Sequence, residues 1–140
     1  MGVPLQLELL KRGRSRRPFN ALPEPSELQM QQALVARLRW QCNPGIVWYH
    51  CPNGEERDKR IAAKLRSMGV RPGVSDLQFI FPCAAPNLFL ELKSRGRGLT
   101  EAQEKFRDEV RACGHIYEWT DSLDDATRIL IKHNVLPQAK

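Results

Sequence analysis

Gly69-Val70-Arg71-Pro72-Gly73-Val74-Ser75-Asp76-Leu77-Gln78-Phe79-Ile80-Phe81-Pro82 and, a few residues on, Asn87-Leu88-Phe89-Leu90-Glu91-Leu92-Lys93 decide the reading of this chain. They read as a Gly/Pro loop, a strand, a Pro-bounded turn and a second strand, because both apolar runs are bounded by turn residues. Side chains along a strand alternate faces. Leu88, Leu90 and Leu92 therefore share one face, and Phe89, Glu91 and Lys93 the other. Asp76 opens the first strand, fifteen residues before Glu91. If the strands pair, the two carboxylates meet. They repel one another, and burial sharpens the repulsion. A divalent cation relieves it, and carboxylate oxygens are the hard ligands that Mg²⁺ (or Mn²⁺) prefers. The Leu92 carbonyl offers a third oxygen. Lys93 can then orient an attacking water or stabilise charge developing on a phosphate. A Glu-x-Lys pair alone also fits a solvated strand face. The Gly-Val-Ser-Asp turn upstream and the apolar residues around Glu91 set this one apart.

On Met68–Asp76 and Phe89–Lys93 the chain resembles the PD-(D/E)XK nuclease superfamily, and within it the VRR-NUC (virus-type replication-repair nuclease) family, in its stand-alone viral or phage-type members. The superfamily's proline is replaced by Ser75. The resemblance runs from about Ser26 to about Leu136. It implies a restriction-endonuclease-like α/β core, with a mixed central β-sheet flanked by helices. It also implies a Mg²⁺- or Mn²⁺-dependent, structure-selective DNA endonuclease. Asp76, Glu91, the Leu92 carbonyl and Glu27 would hold the metal, and Asp76, Glu91, Lys93 and Gln103 would form the catalytic set. The implied substrate is branched DNA, cut at four-way (Holliday) junctions by a homodimer acting in DNA repair, with no small-molecule cofactor. A flap, single-strand or nicking nuclease of a repair or phage replication complex stays open, as does a non-catalytic DNA-binding module.

A length of 140 residues suits one domain. The expected division is a basic arm over 1–25, a nuclease domain over 26–136 and a tail over 137–140. No run reaches the roughly eighteen apolar residues of a membrane span. The first ten residues are wrongly ordered for a signal peptide, so a cytoplasmic location (host cytoplasm for a viral protein) is expected. Cys42, Cys51, Cys83 and Cys113 form no Cys-x-x-Cys pair, and the histidines are scattered at 50, 115 and 133. This argues against zinc and for reduced, mostly buried thiols. The net charge of +6 and pI near 9.5 favour a polyanionic partner.

Lys11-Arg12-Gly13-Arg14-Ser15-Arg16-Arg17 places five cations in seven residues, as in tails that bind nucleic acid non-specifically. Ser26 and Gln29 fit a capping box that opens a helix carrying Glu27, Gln31, Leu34 and Leu38 on one face. Glu27 fits a first-turn acid that complements the helix dipole, or a ligand. Gly45–Cys51 reads as a strand and Pro52-Asn53-Gly54 as a turn. His50 and Asn53 are candidates to approach a phosphate, in a segment similar to the family's His-x-Pro-Asn-Gly. Arg57–Met68 reads as a helix with Ile61, Leu65 and Met68 as its buried stripe. Arg60 and Lys64 on that helix, Arg71 after it, and Arg95 and Arg97 in the Ser94–Gly98 loop are the nucleic-acid-binding candidates. Thr100 opens a third helix, with Gln103, Phe106, Val110 and Cys113 on one face. Gln103 fits either a capping box with Thr100 or, by the resemblance, an active-site role. Gly114 ends that helix, His115–Trp119 reads as a strand, and Asp121-Ser122 starts a last helix. Val135–Lys140 reads as a short tail.

Overall fold

The computed structural model describes residues 23–52 and 59–138. Its elements run α1 (Glu27–Gln41), β1 (Val47–His50), α2 (Lys59–Ser67), β2 (Leu77–Ile80), β3 (Leu88–Leu92), α3 (Glu101–Ala112), β4 (Ile116–Thr120) and α4 (Leu123–Lys132). This is the order read from the sequence. Local signals start the helices where they start. The Ser26 hydroxyl accepts from Gln29 N, and the Gln29 side chain accepts from Ser26 N. Ser122 caps α4, whose first turn carries Asp124 and Asp125 and whose last turn carries Lys132, matching the dipole at both ends.

The four strands form one mixed sheet in the order β1-β2-β3-β4. The β1–β2 and β2–β3 pairs are antiparallel, and β3–β4 is parallel. Period-2 alternation on β2 and β3 sends Leu77, Phe79, Leu88, Leu90 and Leu92 to one face. There they are buried with Met30, Leu34 and Leu38 of α1 and Ala126 and Leu130 of α4. On the other face Phe89 packs with Phe106, Val110 and Tyr117 under α3. The apolar burial on both faces drives the layers together. β3 is covered on both sides.

Several sequence expectations need correcting. The buried stripe of α1 runs Met30, Leu34 and Leu38; Gln31 stays at its edge. Helix α2 buries none of its residues, and Ile61 and Met68 are 52% and 69% exposed. Its stripe has helical spacing, yet only Leu65 of the three is even partly covered. None of the four cysteines is buried: Cys42 and Cys51 are intermediate, Cys83 and Cys113 exposed. Cys113 is the α3 C-cap, where the chain turns away from the core. Val135 and Leu136 are not tail but core, at 0% and 1% exposure. The chain folds back after α4, with Val135 N and Leu136 N both donating to Leu130 O. The basic cluster at 11–17 and the turn at Asn53 lie outside the described residues.

Candidate active site

The β2–β3 ladder stops at Leu77 paired with Leu90. One residue further on the strands part, and the Asp76 carboxylate takes the backbone position: its Oδ2 accepts from Leu92 N at 2.8 Å. The Asp76 carbonyl accepts from Cys51 N at 3.0 Å and lies 2.7 Å from His50 Nδ1. Asp76 is thus held from β1 and β3 together. On the far side of β3 the pairing to β4 continues, and Lys93 N donates to Thr120 O at 2.9 Å.

Glu91 and Lys93 project from the same face of this continuation. Lys93 Nζ is 2.7 Å from Glu91 Oε1, and both residues are buried, at 8% and 2% exposure. Gln103 Nε2 donates to the same Oε1 at 2.5 Å. The Gln103 carbonyl end accepts from Thr100 N at 2.9 Å. One side chain therefore both caps α3 and reaches Glu91. Glu27 sits in the first turn of α1, where its Oε2 accepts from Ser94 Oγ at 2.9 Å and from Ser94 N at 3.2 Å. It combines the dipole position with membership of the cluster. One oxygen each of Glu27, Asp76 and Glu91 lie within 4.8 Å of one another.

This arrangement is electrostatically costly without a cation. Burial, then the Asp76 charge, push Glu91 up to about 7 against the pull of Lys93. Burial also raises Asp76, opposed by the hydrogen bond from Leu92 N, with Glu27 raising it further. Among the described residues, the buried Glu91 Oε2 has no hydrogen-bond partner, an expense of about 1–3 kcal/mol for a polar atom and more for a charged one. Three carboxylates, an orphaned oxygen and hard donors throughout fit a divalent cation such as Mg²⁺ or Mn²⁺. The buried Tyr117 hydroxyl also has no partner among the described residues, and burial with the Glu91 and Asp76 charges keeps it protonated.

The basic candidates are dispersed. Arg71 binds Glu109 Oε2 at 2.6 Å and lies 5.3 Å above the Phe106 ring, so it tethers the loop before Asp76 to α3. Arg60 and Lys64 lie on the exposed helix α2. Arg95 and Arg97 are exposed on a loop that is pinned twice: Ser94 is held by Glu27, and Gly96 N donates to Asp121 Oδ2 at 2.8 Å. Sequence reasoning missed Ser94 and Asp121. Their partners lie 67 and 25 residues away, and no local pattern marks either contact.

No protein-family model matches the chain, and no curated protein matches it. No described helix is long and apolar enough to cross a membrane. Among solved structures, one described as a "VRR_NUC domain protein" is similar, with a TM-score of 0.62 at 22% identity. The match covers 79% of this chain and 91% of that one. Across most of both lengths the two share one α/β fold, which in this chain is a mixed four-stranded sheet flanked by helices.

Proposed function

We propose that this chain is a divalent-metal-dependent endonuclease that hydrolyses phosphodiester bonds in DNA. The observation that carries the proposal is the convergence of Glu27, Asp76 and Glu91 beside the buried Lys93. The fold shared with a VRR_NUC domain protein supports it. Asp76, Glu91, Glu27 and the Leu92 carbonyl would hold Mg²⁺ or Mn²⁺. Bound there, the cation would polarise the phosphate and lower the pKa of a coordinated water. Lys93 orients the attacking water and offsets charge developing on the phosphate oxygens. Gln103 fixes the Glu91 carboxylate through Oε1. His50 braces Asp76 through its main-chain carbonyl. Arg95 and Arg97, with Arg60, Lys64 and Arg71, supply positive charge to the DNA backbone.

The substrate we favour is branched DNA, with four-way junctions cut by a homodimer. Symmetric cutting of a junction needs two sites, and one domain of this size carries one. The test is incubation with labelled four-way junction, flap, single-stranded and duplex DNA in Mg²⁺, Mn²⁺ or EDTA, alongside Asp76→Ala. Paired junction cuts, lost in EDTA and in the variant, are expected from a dimer by light scattering. Cutting of the flap or single strand only moves the substrate. Binding without cutting under either metal overturns the nuclease reading.

A further inference from the structure

Trp119 is 41% exposed although it lies within the sheet. It stands in register with Glu91 across the parallel β3–β4 pair. Neighbouring strands are about 4.8 Å apart, so the indole rises beside the Glu91 carboxylate on the same face. Tyr117, two residues earlier on that face, is buried against Phe106. Helix α3 covers Tyr117 and leaves Trp119 open. Two residues after Trp119, Asp121 holds Gly96 N, which fastens the loop bearing the exposed Arg95 and Arg97 to the end of β4. An open aromatic face thus stands beside a member of the acid cluster, with the basic loop fastened at the end of the same strand, and the chemistry described above makes no use of the aromatic face.

Resting on the nuclease reading, we infer that Trp119 is a stacking platform for an unpaired nucleobase next to the phosphate being cut. A base inside a duplex has both faces covered by its neighbours. A base in a flap, at a branch point or in a single strand has a free face, and every base can stack on an aromatic ring whatever its sequence. The spacing of about 4.8 Å between the paired backbones is on the scale of one to two nucleotide steps, at about 3.4 Å each when stacked. The strand entering the site is therefore locally single-stranded.

The experiment measures binding of the full chain, in EDTA, to a labelled single strand and to a blunt duplex of the same sequence. Trp119→Leu and Trp119→Phe are compared with wild type, with Trp40→Leu, a 90% exposed tryptophan on α1, as control. Trp119→Leu is expected to lose about 5- to 100-fold in affinity for the single strand and less than about twofold for the duplex, with Trp119→Phe close to wild type. A second measurement needs no change at 119: in Trp40→Phe/Trp48→Phe protein, where Trp119 is the one indole left of the three in the sequence, indole emission should be quenched by the single strand and not by the duplex. Wild-type affinity of Trp119→Leu for the single strand, equal losses on both DNAs, or quenching by neither overturns the inference. Because EDTA removes cleavage from the readout, absence of cutting with this selectivity intact would overturn the nuclease reading alone.

Discussion

Gln103 Nε2 donates to Glu91 Oε1 while the other end of the same amide accepts from Thr100 N, so the first turn of α3 and the acid cluster share one side chain. Gln103→Glu keeps an acceptor for the capping box but sets a fourth carboxylate against Glu91. The helix should hold, and cleavage should fall about 10- to 100-fold. Gln103→Ala loses the cap as well and should cost about 1 kcal/mol in unfolding free energy. Paired denaturation and cleavage assays check both. Equal cleavage by Gln103→Glu and wild type would count against the role of this contact.

Glu91 links stability to pH. Its folded pKa of about 7 lies above the ordinary 4.5. The fold is therefore favoured by the protonated form: the contribution is complete below 4.5 and lost as pH rises through 7. Metal-free protein should lose on the order of 2–3 kcal/mol from this group between pH 4.5 and pH 8. Glu91→Gln has no charge to bury, so in EDTA at pH 8 it should melt higher than wild type while failing to cleave. Thermal melts across pH in EDTA decide this, and a Glu91→Gln protein that melts lower at pH 8 would contradict it.

Gly73 is the point where the loop before Asp76 meets α3. Its φ is +83°, and a Cβ there would run into the Ala102 carbonyl and lie 2.9 Å from Gln103 N. Both obstacles are backbone. Gly73→Ala should therefore push the loop off α3, destabilise by more than about 2 kcal/mol and displace Asp76 from Gln103. Gly96→Ala is the comparison, since a Cβ at Gly96 meets nothing within 4 Å and adds only backbone strain of about 1 kcal/mol. Urea unfolding of the two variants should separate them.

Lys93 is the buried cation nearest the acids. Lys93→Met preserves much of the volume and should reduce cleavage about 10²- to 10³-fold. It also removes the charge that lowers Glu91, so the fall in metal-free stability should move to higher pH. Single-turnover cleavage and pH-dependent melts measure the two effects, and wild-type cutting by this variant would rule out the proposed mechanism.

Much of the architecture is legible locally. Alternation along Leu88–Lys93 is a property of backbone geometry, so which residues face the core follows from period alone. The caps at Ser26 and Thr100 and the turn at Gly114 depend on neighbours within a few residues. From these the element order, the pairing of the strands around Asp76 and Glu91, and the side-by-side placement of Glu91 and Lys93 all follow. Packing between distant elements lies beyond such signals. Periodicity gives α2 an apolar stripe, but only the assembled layers leave Ile61 and Met68 uncovered. Glu27 joins the acids through Ser94, 67 residues away. Val135 and Leu136 enter the core because the chain doubles back onto α4. Local hydrogen bonding and alternation determine each element, whereas burial and electrostatics across the sheet decide which side chains meet, and those depend on the whole fold at once.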